Sequence, residues 1–359
     1  MNLSFHADWP AAARQMTRFW NREPITRPPI YLTIAAPESE RVPVPVPESP
    51  EQKYFDPEFL IAACEARFTN SICVAEALPT VTQAMMAGWL PAFGAPLYAD
   101  DATVWFGEIV HDWTDLPDWS TAWDDEGWRR LKAIMARLIE AGRGRFFVGT
   151  PPMLTPNDLL SVLCDPCRFL LALSDYQDEV SYSLETMTTA FIGMFDEITA
   201  MCATAFEGTH HHYPVWSPDP LVTVQSDISC TLSPAMFDRF VIPELERITA
   251  HTGRGIYHLD GPDAVKHLDR VLDLPHLSML QWVPGAGQPG GFQHWMHIFK
   301  RAQEKGKAIF LPCGVGELEV AVREFRPDLT FLYCGQVDSM AQAEEVLGNL
   351  ENWTKEYWG

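Results

Sequence analysis

From Gly255 onward the chain alternates short apolar runs with amphipathic stretches of helical period, and the links between them are short. The runs are 255–259, 277–283, 307–312 and 329–334; the helical stretches are 263–272, 292–305, 315–325 and 339–353. A strand, a helix and a second strand in close succession imply parallel neighbours, because the helix carries the chain back to the edge where the first strand began. The pattern extends upstream. Trp128, Leu131, Met135, Leu138 and Ile139 form a helical stripe closed by Gly142. Arg145–Gly149 reads as a short strand, 176–206 as a long helix and Leu221–Ser226 as a strand. Ser233-Pro234 is a helix start, Ser as cap and Pro in the first turn, leading to about Ala250.

Residues 1–120 differ in style. They are rich in Pro and Trp, and Pro43-Val44-Pro45-Val46-Pro47 cannot be a central strand. They read as a cap or lid with long loops and one strand, Ile30–Ala35. No phosphate-cradling glycine turn opens any helix, and Gly285–Gly291 is too long and too late to be a dinucleotide fingerprint. A closed barrel therefore fits better than an open doubly wound sheet. The expected fold class is α/β: a (β/α)8 TIM barrel with an N-terminal Pro/Trp-rich extension, one domain over residues 1–359. Residues 1–120 would supply the extension and the first barrel elements.

Composition excludes several partners. With 47% hydrophobic residues the 359-residue chain can bury a large core. A net charge of −22 repels phosphate backbones and anionic bilayers, so neither nucleic acid nor membrane is expected. No apolar run approaches the ~20 residues of a membrane span. Met1–Arg22 is polar, without the apolar core of a signal peptide, so the cytoplasm is the expected location. The eight cysteines are scattered, which suggests free thiols or metal ligands rather than a disulfide framework.

Chemistry in parallel α/β folds gathers at the strands' C-terminal ends. The apolar run Gly255-Ile256-Tyr257 ends in His258 and Asp260, which share one side of a strand. Other strand ends offer Glu76, Asp227, Gln281 with Trp282, Cys313 and Cys334. A His, thiols and carboxylates on one rim suit zinc. The metal set expected is His258, Asp260 and Cys334, with Asp227, Glu76 and Asp260 as acid–base groups and Glu76 or Asp227 as alternative further ligands. Trp216, Gln281, Trp282 and Tyr257 are the candidate substrate-binding residues. Plainer readings stand beside these. Glu76 can pair with a buried Arg, Asp227 can order a loop, and Cys313 and Cys334 can be small buried hydrophobes. Cys164-Asp165-Pro166-Cys167 lacks the second pair that would make it a zinc motif. The run His210-His211-His212 cannot turn three adjacent rings to one point and reads as a loop near the rim. The thirteen tryptophans, Trp89 and Trp123 included, are mostly core and interface.

His258-Leu259-Asp260-Gly261-Pro262, Lys266-His267-Leu268 and Gln281-Trp282-Val283-Pro284-Gly285-Ala286-Gly287 resemble the uroporphyrinogen decarboxylase-like superfamily. The match is closest to a branch often labelled trimethylamine corrinoid protein 2-like. Gln225–Ser229, Leu232-Ser233-Pro234, Glu76–Pro79 and Thr103–Phe106 add to it, and the resemblance spans roughly residues 20 to 355. It implies a (β/α)8 barrel. True decarboxylases of that group carry an Arg-Gln-Ala-Gly-Arg segment that this chain lacks, so porphyrinogen decarboxylation is not expected. The methyltransferase branch holds zinc with His-x-Cys and a later Cys. His258 matches that His, Cys334 stands like the later Cys, and Asp260 occupies the middle Cys position. Carboxylate for thiolate makes a harder centre. The resemblance thus implies a zinc-dependent methyltransferase working with a corrinoid carried by a separate protein, since no Asp-x-His-x-x-Gly motif occurs here. Two alternatives are a metal-free lyase acting on a carboxylated small molecule and a non-catalytic small-molecule-binding barrel. A homodimer is the default assembly.

Overall fold

The alternation becomes a seven-stranded, mostly parallel sheet surrounded by helices, an α/β fold. The computed structural model describes residues 2–81, 90–121 and 126–359; Trp89 and Trp123 lie outside them. The strands are β1 (Ile30–Ala35), β2 (Ser71–Ala75), β3 (Thr80–Val81), β4 (Leu97–Ala99), β5 (Val104–Phe106) and β6 (Phe147–Val148). They continue as β7 (Val222–Gln225), β8 (Gly255–Asp260), β9 (Leu277–Val283), β10 (Ala308–Pro312) and β11 (Thr330–Val337). The sheet order is β2-β1-β11-β10-β9-β8-β7, with β3–β6 and β4–β5 as separate pairs.

Register places the site. Gln225, His258, Gln281, Phe310 and Phe331 are successive partners across β7, β8, β9, β10 and β11, so their side chains share one face and one level. Two residues further, Asp260 pairs with Val283, and Pro312 with Tyr333, which in turn pairs with Tyr31 on β1. These form the next level toward the C-terminal ends. Aromatic rings continue the wall: Tyr31–Tyr333, Tyr333–Phe310 and Phe310–Tyr213 have centroids 4.9, 5.2 and 5.3 Å apart.

The helices follow from their patterns. Trp128, Leu131, Met135, Leu138 and Ile139 are all buried on the helix Glu126–Gly142, each worth about 1.5–3 kcal/mol of hydrophobic burial. Ser233 caps the helix Pro234–Phe240 by accepting from Met236 N at 3.3 Å, and a second helix, Ile242–Thr252, completes the predicted stretch. Among the described residues no helix is long and apolar enough to cross a membrane.

Three expectations are corrected. Residues 1–120 are not mainly loops: Trp9–Trp20 and Pro57–Asn70 are helices, each with an Asp cap and a proline in its first turn. Trp9, Ala12, Met16, Phe19 and Trp20 form the buried stripe of the first. The sheet is not wholly parallel, because β2 runs antiparallel to β1; the helix Pro57–Asn70 leads straight into β2 and returns the chain along its neighbour. The third is the end of the last strand: β11 runs on to Val337, so Cys334 lies inside it and not at its end. Between Tyr31 and Leu32 the β1–β11 pairing shifts, with Tyr31 opposite Tyr333 and Leu32 opposite Gly335, so Cys334 is the extra residue of a bulge.

Candidate functional site

Asp227, His258 and Asp260 converge. One ligand atom from each lies within 4.8 Å of the others, with the carboxylates exposed and His258 half-buried. His258 and Asp260 come from the end of β8, where Gly261, at φ +80°, ends the strand in a backbone conformation that other residues avoid. Asp227 opens the turn Asp227–Thr231 directly after β7.

His258 is held from one side. Its Nδ1 meets Oε1 of Gln281 and lies 2.8 Å from the Tyr213 hydroxyl, which donates to the same Oε1 at 2.8 Å. The Gln281 amide group donates to Trp282 O at 3.2 Å, which fixes its carbonyl oxygen toward the imidazole. Nδ1 is then the nitrogen that donates to Gln281, and Nε2 is the one left for a metal or a proton.

Beneath Asp227 sits Asp158, from the helix Pro156–Cys164. It is 4% exposed and accepts from Asp227 N at 2.9 Å, Ile228 N at 3.3 Å and Gln225 Nε2 at 3.2 Å. Burial, then the charge of Asp227, pushes its carboxyl up to about 7. Asp227 is also raised by burial, with His258 opposing and Asp260 adding to the rise. Further in, Glu244 bonds Asn157, whose side chain accepts from Ser226 Oγ at 2.7 Å. Burial raises Glu244 well above the usual carboxylate range.

The three adjacent histidines separate as the sequence predicts. His210 Nδ1 donates to Tyr213 O at 2.7 Å and Nε2 accepts from Thr80 Oγ1 at 2.7 Å. His211 Nε2 donates to Pro151 O at 2.9 Å, and its Nδ1 accepts from Thr223 N at 2.7 Å. Both rings are buried links between strand segments, and burial holds them at about 4 and about 3. His212 turns elsewhere, edge-on to Tyr213.

Several candidates fall outside the cluster. Glu76 accepts from Arg27 through both oxygens, at 2.8 and 2.9 Å, and from Ile30 N at 2.8 Å, so it is a buried structural ion. Tyr257 precedes His258 on the strand and therefore faces the opposite side, where it is 1% exposed. Trp282 likewise alternates away from Gln281 and packs on Trp295, with centroids 5.1 Å apart. Trp216 packs on Trp9, and its carbonyl accepts from Trp20 Nε1 at 2.8 Å. Cys334 forms no group of three with these donors among the described residues; burial raises its thiol to about 11. Cys313 is buried beside it. Cys164 is buried at a helix end while Cys167 is exposed on the next helix, so the CxxC does not converge. Gln281 alone of the four proposed substrate-binding residues reaches the cluster. Tyr213 and Asp158 were not singled out by sequence, and His212 was noted only as part of the histidine run near the rim.

Comparison with solved structures finds the same fold in a protein described as a methyltransferase from Methanosarcina mazei. The TM-score is 0.62 at 11% identity, covering 97% of this chain and 99% of that one. No protein-family model matches the sequence, and no curated protein matches it.

Proposed function

We propose that this chain is a zinc-dependent methyltransferase that moves a methyl group between a corrinoid, carried by a separate protein, and a small-molecule acceptor or donor. The observation that carries the reading is the fixed His258: its Nδ1 is committed to Gln281, and its ring converges with the carboxylates of Asp227 and Asp260. The donor set fits a divalent metal, since zinc takes His and carboxylate ligands and catalytic sites use three protein donors. When bound, the metal would supply Lewis acidity and a place for one ligand. The chain's own residues do the rest. Gln281 and Tyr213 hold the imidazole, Asp158 holds the Asp227 turn, and the two exposed carboxylates provide charge for a cation. Oxygen donors in place of thiolates favour a harder metal and a ligand bound through oxygen or nitrogen as readily as sulfur.

The fold supports this indirectly, through its likeness to the Methanosarcina methyltransferase. We read the six parallel strands of the main sheet together with β3 and β6 as the eight strands of one (β/α)8 barrel. Supporting hydrogen bonds run from Phe147 N to Pro79 O at 2.7 Å, from Thr150 N to His210 O at 3.1 Å, and from Thr223 N to the side-chain Nδ1 of His211 at 2.7 Å. The test is metal analysis of purified protein. Stoichiometric zinc, lost in His258→Ala, is expected; zinc near zero in both proteins would sink the proposal. The raised carboxyls of Asp227 and Asp158 favour one second reading, a metal-free lyase using them as proton carriers. Activity that survives chelation would select it.

A further inference from the structure

His212 has a left-handed backbone, φ +63°, which side chains other than glycine seldom adopt. Its neighbours explain how it is held there. His210 and His211 are each pinned at both ring nitrogens, and Tyr213 N bonds back to His211 O at 2.8 Å. The reversal throws the His212 ring out of the buried row. It lands edge-on to Tyr213, with centroids 4.5 Å apart, and the Tyr213 hydroxyl in turn lies 2.8 Å from His258 Nδ1. Its imidazole makes no hydrogen bond among the described residues, unlike both of its neighbours. A half-buried, uncommitted ring at the end of a strained turn has no structural duty that a smaller residue would not perform better.

We infer that His212 is a further ligand-contacting residue, a hydrogen-bond donor to a thiolate or alkoxide held at Asp227, His258 and Asp260. The inference rests on the metal-site reading above. The His212 ring packs on Tyr213, whose hydroxyl lies 2.8 Å from His258 Nδ1, so one residue separates it from the cluster. Burial lowers the ring to about 4, and a neutral imidazole still carries one N–H to donate. An anionic ligand arriving at a metal-neutralised site would find its extra donor there.

The experiment uses the whole chain, Co2+ and 2-mercaptoethanol as probes, and the variants His212→Gly and His212→Asn, which both tolerate the left-handed backbone. Cobalt affinity and thiol affinity of the cobalt-loaded protein are read by visible absorption, and Tm by calorimetry. Expected are an unchanged or higher Tm, unchanged cobalt affinity, and thiol binding weaker by on the order of tenfold, partly restored in the glycine variant by added imidazole. Wild-type thiol affinity in both variants overturns the inference, as does a lower Tm, which would make the ring structural. Weakened cobalt binding overturns it in favour of a direct ligand. Absence of cobalt uptake by the wild type sinks the metal reading and this inference together, whereas uptake with indistinguishable variants sinks the inference alone.

Discussion

Gln281 turns its side-chain oxygen onto Nδ1 of His258, and the two residues are register partners on adjacent parallel strands. The sheet itself therefore sets the pair, and the ring cannot rotate without losing the bond. Gln281→Leu removes the acceptor while keeping the volume. Zinc affinity should fall about 10- to 100-fold, the usual cost of losing a partner that orients a ligand. Tyr213→Phe should cost less, because Gln281 still accepts from the imidazole. Competition titration with a chromophoric chelator measures both, and equal affinities in wild type and Gln281→Leu would show that the bond orients nothing of consequence.

Asp227 and Asp260 bring two carboxylate oxygens within 4.8 Å of each other, beside His258. Like charges at that range repel by roughly 1 kcal/mol in a water-like dielectric. Asp260→Asn should thus stabilise the metal-free protein slightly while weakening zinc binding. Tm with and without zinc separates the effects: the variant should melt higher than wild type in chelator and lower in zinc. A lower melting temperature in both conditions would mean that Asp260 has a structural role.

Glu76 is the candidate that the fold removes from the chemistry. It is a buried ion with three donors, so removing it leaves Arg27 unpaired. Glu76→Ala should cost about 3–5 kcal/mol of stability and leave zinc affinity unchanged in the folded protein. Urea unfolding followed by a zinc titration tests this, and intact stability with lost metal binding would restore Glu76 to the site.

Regular periodicity made the parallel core legible. Strands 277–283 and Ile30–Ala35 lie where the sequence puts them, because a buried strand shows its whole apolar run. The pair His258 and Asp260 was legible for the same reason, since strand alternation alone puts them on one side. The donor Asp227 was legible as a strand end and as a candidate further ligand, but its place beside His258 and Asp260 depends on how β7 and β8 pair. Cys334 shows the opposite case: one extra residue in β11 shifts the pairing, and nothing in its composition announces a bulge. Asp158, Tyr213 and His212 come from a helix and a loop, so only tertiary packing brings them to the site. Tyr257 and Trp282 lie away from the cluster, because strict strand alternation turns them from His258 and Gln281.

Asp158 gives a pH dependence with a definite sign. Its folded carboxyl is raised to about 7, above its unfolded value. A raised folded pKa means that folding takes up a proton, so this group's stabilising contribution is full below the unfolded pKa and is lost as pH rises through about 7. Asp158→Asn has no such term. Relative to the variant, wild type should therefore gain stability as pH falls from 7 toward 5, by about 1.4 kcal/mol per pH unit. The buried rings of His210 and His211 have lowered values and act the other way, being lost as pH falls through their folded range. They are common to both proteins and cancel in the comparison. Urea denaturation of the two proteins across that range reads the difference directly. A difference that stays flat would show that Asp158 is already ionised throughout, and that the backbone amides of Asp227 and Ile228 outweigh its burial.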